Sequence, residues 1–348
     1  MALGNIQRKL TAIDLFAGCG GLTQGLKDAG YSVRGAVEID FKARETYLLN
    51  HPGIPLIGTD IRQVELDDVL AITGLMPGEL DLLAGCPPCQ GFSTMRRKNK
   101  AVEVFDPRND LIDEFTRLAI ALKPKIIMME NVPGIVEYPR FKAMVDELNM
   151  CGYSVIYQIL DIATFGVPQR RRRLILSANR TGTAVLAKPT GRMSTVRKAI
   201  GKLPVPGATG DAIHDFPARR SARVELVIKN IPKDGGSRTS LPDSLQLACH
   251  RKNGGFFDVY GRMKWDDVSP TITSGCTNPS KGRFLHPEQD RTITLREAAI
   301  LQGFPRKYKF IGSHGKESIS LMIGNALPPS FISAHAALMA ESIYNEEY

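Results

Sequence analysis

The chain predicts an α/β fold: a largely parallel sheet flanked by helices, with a second, smaller domain that is irregular or β-rich. Three observations carry this. Short apolar runs alternate with helix-like stretches through the first half, the pattern of βαβ units. A glycine-rich turn follows the first apolar run, as where a strand feeds a helix. After about Asn179, proline and glycine punctuate the chain and helical periodicity fades, until helix signals return from Leu295 onward. The expected division is one domain over 1–180 and 286–348, with the second inserted over 181–285.

The elements follow in order. Residues 11–16 suit a strand, and the glycine turn leads into a helix ending near Gly30. Residues 31–37 suit a second strand and 41–50 a second helix. Residues 80–84 read as a buried strand that Pro87 and Pro88 stop, because proline fixes φ and has no amide to give a ladder. A polar loop over 93–108 leads to a helix over about 109–122 and another buried strand at 125–130. Thr294 and Glu297 have capping-box spacing, and Gly303 and Pro305 end that helix. Residues 324–329 form a turn whose prolines suit the first turn of a last helix.

Composition narrows the function classes. An apolar fraction of 43% with 23% charged residues is that of an ordinary globular protein. No run approaches the roughly 18 apolar residues of a membrane span, and residues 1–10 have no signal-peptide core. The expected compartment is therefore cytoplasmic, with no membrane partner. Six scattered cysteines without a signal peptide argue for free thiols. A net charge of +9 favours a polyanionic partner such as nucleic acid.

Cys89 stands just past the carboxyl end of the strand at 80–84, where open α/β sheets bind ligands. A thiol there can act as a nucleophile. Cys86 and Cys89 also have the spacing of a redox pair; a zinc site would need a second ligand pair, and Cys151, Cys249 with His250, and Cys276 lack the usual spacing. Gly18, Gly20 and Gly21 let backbone approach a ligand closely, and Glu38 follows at the distance of an acid that holds ribose hydroxyls. Thr23 occupies the last position of the dinucleotide fingerprint, so another adenosine-containing cofactor is at least as well matched, and a structural turn is an equal reading. Glu130 and Asn131 close the strand at 125–130, which brings them to the same sheet edge as Cys89; helix capping is their ordinary role. In an extended chain Gln169, Arg171 and Arg173 share one face, and Arg170 and Arg172 the other. Arginines leading into a buried strand need a carboxylate or carbonyl nearby.

Together and in this order, these segments resemble the C5-cytosine DNA methyltransferases of restriction–modification type. The match includes residues 14–21, Glu38, Pro88-Cys89-Gln90, Glu130-Asn131-Val132, Gln169 with Arg171 and Arg173, Arg296-Glu297-Ala298, and Gly324-Asn325 with Pro328-Pro329. The resemblance implies a Rossmann-like S-adenosylmethionine-dependent catalytic domain with a mixed, mostly parallel sheet, and a target-recognition domain over 181–285. It implies S-adenosyl-L-methionine as cofactor, bound by Phe16, Gly18, Gly20, Gly21, Glu38, Ile39, Asp60, Ile61, Pro88, Asn325 and Ala326. It further implies Cys89 as the nucleophile toward a flipped cytosine and Glu130 on ring nitrogen 3. Arg171 would contact the cytosine oxygen, with Arg173, Asn131 and Gln90 in support. Double-stranded DNA is the implied partner, contacted by Arg96, Arg97, Arg108, Arg238 and Arg251, with a cognate endonuclease acting separately.

The tRNA cytosine methyltransferases of the same architecture carry a Cys-Phe-Thr segment that this chain lacks. An intact set of Cys89, Glu130 and Arg171 argues against a DNA-binding regulator without turnover. The expected enzyme is a monomer of prokaryotic or phage origin.

Overall fold

The computed structural model describes residues 8–88, 110–246 and 258–347. Its contacts divide the chain into two units, one of 1–161, 172–189 and 329–348, the other of 162–171 and 190–328. The second unit thus takes in 286–328, which the sequence reading gave to the catalytic domain, and the short segment 162–171.

The first unit holds a seven-stranded sheet in the order β3-β2-β1-β4-β5-β7-β6. Its strands are β1 (Thr11–Leu15), β2 (Ser32–Val37), β3 (Leu56–Gly58), β4 (Leu82–Gly85), β5 (Ile126–Asn131), β6 (Ser154–Asp161) and β7 (Arg172–Asn179). The pairs from β3 across to β5 are parallel, and β7 runs antiparallel to both β5 and β6. This is the mixed, mostly parallel sheet that the resemblance implies. Every residue of β5 is buried, with no alternation, as a strand covered on both faces requires. The edge strand β6 exposes its middle four residues instead.

Helices α1 (Gly21–Asp28), α2 (Phe41–Asn50), α3 (Leu66–Thr73), α4 (Leu111–Leu122) and α5 (Pro139–Met150) connect the strands. Asp40 caps α2 by accepting from the Ala43 amide. The core joins Leu15, Val37 and Leu83 of the sheet to Phe115 and Leu118 of α4 and to Phe141 and Leu148 of α5. The last helix of the chain, spanning Pro329–Glu347, returns to this unit and packs on α1. Gly25 makes that approach possible: a Cβ there would stand 2.6 Å from Ile332 Cβ and from the Pro329 carbonyl oxygen.

Strand order reverses between β1 and β4, so their loops leave the sheet side by side in opposite senses. Leu15 lies opposite Gly85 in register, and the Cys86 amide donates to the Leu15 carbonyl at 3.3 Å. Crevices of this kind at the carboxyl ends of strands are where doubly wound sheets bind ligands. The glycine turn and the Cys86-to-Pro88 segment both open here.

The second unit contains α6 (Val196–Ile200), α7 (Ala222–Asn230), α8 (Leu295–Leu301) and α9 (Lys316–Asn325), the last helix of the chain being α10. Among its described residues strand pairing is confined to isolated bridges, such as Gln169 with Ser269 and Arg262 with Leu285. Val227, Ile228, Ile231, Leu241, Tyr260 and Leu285 form a small apolar core. Beside it the fully buried Arg262 donates to the carbonyls of Ile228, Ile231, His286 and Gln289 and to the Asp290 carboxylate. The capping box expected at Thr294 and Glu297 is present at the start of α8. Among the described residues no helix is long and apolar enough to cross a membrane.

Candidate active site

The glycine turn after β1 is a sequence of left-handed residues: Phe16 has φ 65°, Gly18 φ 56° and Gly20 φ 97°. It is held by Glu38 at the end of β2, whose carboxylate accepts from the Gly18 amide at 2.7 Å and from the Asp40 amide at 2.7 Å. Burial pushes the Glu38 carboxyl up, while those two amides pull it down. Arg44 braces the loop that follows β2 through the carbonyls of Glu38 and Ile39. Ile39 is 61% exposed and Phe41 62%, an apolar surface beside a carboxylate. Gly21, at the start of α1, is buried. Asp60 caps the turn over Ile61–Gln63 and pairs with Arg62, and Ile61 is buried.

Beneath the turn lies a group that the sequence reading passed over. Asp14 is fully buried in the middle of β1, and its Oδ2 accepts from the Thr23 hydroxyl at 2.6 Å. The Tyr47 hydroxyl stands 3.0 Å from the same Thr23 oxygen, and His51 Nε2 lies 3.1 Å from the Gly20 carbonyl. Among the described residues Asp14 Oδ1 has no hydrogen-bond partner. Desolvation by burial raises this carboxyl to about 7, with the Glu38 charge adding to the rise. The folded state therefore favours the protonated form. That contribution is whole below about pH 4 and is lost as pH rises through about 7. Denaturation of the native chain and Asp14→Asn across pH 4–8 should show the native chain losing roughly 2–4 kcal/mol relative to the variant. A pH-independent difference would remove Asp14 from that range.

The carboxyl ends of β4 and β5 and the amino end of the antiparallel β7 supply the second half of the site. Asn131 Nδ2 donates to the Pro87 carbonyl at 2.9 Å, which ties the proline segment to the end of β5. Pro88 is half-buried, and the chain then enters Cys89, which lies outside the described residues. Gln90, Arg96, Arg97, Arg108 and Arg251 lie outside them as well. Burial pushes the Cys86 thiol well up, and the nearby Glu130 and Asp14 charges add to that, so Cys86 is a poor source of thiolate.

The arginine run alternates as an extended chain should. Gln169 and Arg171 are buried and Arg173 is partly so, while Arg170 and Arg172 are exposed. Glu130 and Arg173 form an ion pair of 2.8 Å in which the side chains are 8% and 15% exposed. Arg171, expected at the cytosine oxygen, instead donates to the Ile272 carbonyl at 2.9 Å and the Gly324 carbonyl at 3.1 Å. Gln169 completes that lattice, donating to Gln302 Oε1 at 2.6 Å and accepting from the Ile272 amide at 2.8 Å. Gln302 in turn donates to the Ala326 carbonyl. Gly324 is required here, since a Cβ would lie 2.3 Å from the Ser274 nitrogen. Asn325 ends α9 and is exposed, and Ala326 is half-buried. Arg238, expected on a DNA-contacting loop, is only 5% exposed.

Comparison with known proteins agrees with this arrangement. A sequence model of the C-5 cytosine-specific DNA methylases matches residues 10–341. The chain is 37% identical to the type II methylase M.HgiDII of Herpetosiphon aurantiacus over 331 residues, 91% of each chain. It is 32% identical to the type II methyltransferase M1.HphI of Haemophilus parahaemolyticus, covering 97% of this chain and 88% of the relative. Among solved structures it is similar to a prophage-encoded E. coli chain described as a DNA modification methyltransferase. That likeness has a TM-score of 0.67 at 25% identity, over 97% of this chain and 99% of the other. A glycine turn held by Glu38, a proline segment tied to Asn131, a Glu130–Arg173 pair and a match through both units lead to one conclusion: the chain belongs to the C-5 cytosine-specific DNA methylases and is a DNA (cytosine-5)-methyltransferase.

Proposed function

We propose that the protein transfers a methyl group from S-adenosyl-L-methionine to carbon 5 of a flipped cytosine in a specific duplex sequence, as the modification enzyme of a restriction–modification system. The observation that carries this reading is the Asn131–Pro87 bond beside the Glu130–Arg173 pair. It brings the segment entering Cys89 to the strand end that bears the paired carboxyl.

The residues around the glycine turn fit the cofactor. No atom lies within 4 Å of the place a Cβ would take at Gly18, so a ligand can approach the backbone there. Each Glu38 oxygen accepts one amide and keeps a lone pair for a ribose hydroxyl. Phe16, Ile39 and Phe41 offer apolar surface for a purine. When bound, the cofactor would supply an electrophilic methyl group on a sulfonium. Gly20 and Gly21 would face its methionine end, with Ile61, Pro88, Asn325 and Ala326 as further contacts. Asp60 already holds Arg62, so its share in recognising the purine would run through the turn it caps.

Carbon 5 of cytosine is a weak nucleophile until the ring is activated. The Cys89 thiolate adds to carbon 6, forming the S–C6 bond and pushing the electron pair of the 5,6 double bond onto carbon 5. Glu130 hydrogen-bonds or protonates ring nitrogen 3, help typically worth about 10²–10⁴-fold. Arg173, which pairs with Glu130, would meet the cytosine oxygen and offset developing charge. Arg171 acts at one remove, holding the Ile272 and Gly324 carbonyls. Once carbon 5 is methylated, loss of its proton to a base restores the double bond and expels Cys89. The base must leave the helix for this chemistry, at a cost of a few kcal/mol, and the second unit is the part that would read the surrounding sequence.

Incubation with labelled cofactor and either unmethylated duplex DNA or tRNA, followed by mapping of modified cytosines, tests the proposal. Label at carbon 5 of cytosines in one DNA sequence is the expected result. Label on tRNA alone overturns the substrate.

A further inference from the structure

Glu38 holds the glycine turn from β2, and a second side chain reaches it from α2. His51, the C-cap of that helix, is fully buried. It follows Tyr47 by four residues, so the two rings share one helical face and meet with centroids 4.9 Å apart. The Tyr47 hydroxyl reaches Thr23 in the first turn of α1, and His51 Nε2 reaches the carbonyl of Gly20, the N-cap of the same helix, at 3.1 Å.

The two polar contacts of the His51 ring leave it one protonation state. A carbonyl only accepts, so Nε2 must carry the proton that it donates to Gly20. On the other side of the ring Nδ1 stands 3.4 Å from the Lys27 ammonium, which only donates, so Nδ1 must offer a lone pair. Both partners require the neutral tautomer with its proton on Nε2. Burial, and after it the Lys27 charge, push the imidazole down to about 4, which keeps it neutral at ordinary pH. Lys27 lies exposed in the last turn of α1, so His51 ties the two ends of that helix together.

The Gly20 carbonyl already accepts the Gln24 amide at 2.9 Å, and His51 takes its second lone pair. Gly20 has φ 97° and no Cβ to restrict it, so the carbonyl needs such a partner to stay in place. Fixing the carbonyl fixes the whole planar peptide unit, whose N–H belongs to Gly21 and points the opposite way. As the first residue of α1, Gly21 has no partner for that N–H within the helix.

We propose that His51, oriented by Lys27, is a positioning residue for the cofactor: it holds the Gly20–Gly21 peptide so that the Gly21 N–H is presented to the cofactor's methionine carboxylate. The inference rests on the S-adenosylmethionine reading and adds two residues that act through the turn, not by contact with the cofactor. An anion at the first amides of a helix is a favourable pairing, and its strength depends on how well those amides are aimed.

The test is cofactor binding by titration calorimetry, with steady-state methylation of duplex DNA, for the full-length native chain, His51→Gln, His51→Leu and Lys27→Met. Glutamine offers an N–H to Gly20 and an oxygen to Lys27; leucine offers neither. The expected result is a loss of cofactor affinity of about tenfold or more in His51→Leu, with a matching rise in KM for the cofactor, and affinity within about threefold of native in His51→Gln. In both, kcat at saturating cofactor and KM for DNA should move by less than about twofold. Lys27→Met changes an exposed residue and spares the packing. It should lose about threefold in cofactor affinity, because Nδ1 is then free to take the proton from Nε2. Native cofactor affinity in His51→Leu, or in Lys27→Met if the leucine variant does not fold, overturns the proposal. Equal losses in His51→Gln and His51→Leu overturn it as well, since they mark a histidine that only fills space. A native chain that does not bind S-adenosylmethionine overturns the cofactor reading instead.

Discussion

Cys89→Ser is expected to abolish methyl transfer to DNA, by more than about a thousand-fold, while S-adenosylmethionine still binds. The chemistry sets the size. A cysteine thiol with an ordinary pKa of about 8.5 is partly ionised at neutral pH and strongly nucleophilic, whereas a serine hydroxyl is scarcely ionised and adds poorly to carbon 6. The side chains around the glycine turn belong to other elements, with Glu38 on the Gly18 amide and Arg44 on the Ile39 carbonyl. Methylation of duplex DNA measures the loss, and titration calorimetry with the cofactor measures what remains. Full activity in the serine variant rejects the covalent mechanism; loss of cofactor binding along with activity would show that Cys89 supports the fold of the site instead.

Arg262→Met should be the most damaging single change in the second unit. The native guanidinium is fully buried, and its donors meet four carbonyls and the Asp290 carboxylate. Methionine fills much of the volume and satisfies none of those acceptors. Leaving buried acceptors unmade costs about 1–3 kcal/mol each, so a loss of at least about 4 kcal/mol is expected. Urea denaturation followed by fluorescence of Trp265, the chain's single tryptophan and a member of this unit, reads the effect directly. A midpoint within about 1 kcal/mol of the native one would mean that those carbonyls find other partners.

These two residues differ in how visible they were in the chain. Cys89 stands out because a strand-like apolar run, two prolines and a thiol occur in direct succession. Arg262 carries no such mark: its partners lie 24 to 34 residues away in sequence, and no local spacing pairs it with them. Arg238 shows the converse, since a basic residue in a glycine-rich turn reads as a DNA contact, yet packing encloses it. The middle residues of β6 are partly exposed on an edge, so that strand lacks the continuous apolar run that marks β4 and β5. Asp14 was overlooked because a lone acid within an apolar strand has no periodic signature. Only the closing of Thr23, Tyr47 and the glycine turn around it shows how deeply it is buried.

By itself the chain determined the alternation of strands and helices, the glycine turn with Glu38, the alternation along 169–173 and the family. These are local properties, set by periods of two and 3.6 residues and by what glycine and proline permit. The tertiary structure alone decided which arginine faces the acid. Alternation places Gln169, Arg171 and Arg173 on one side without saying what lies there. The antiparallel register sets Asn131 against Leu174, so Arg173 emerges just beyond the end of β5, beside Glu130. Two residues earlier the chain has already left the strand, and Arg171 meets the carbonyls of Ile272 and Gly324 instead. Partners separated by tens of residues are chosen by register and packing, which no short stretch of sequence encodes.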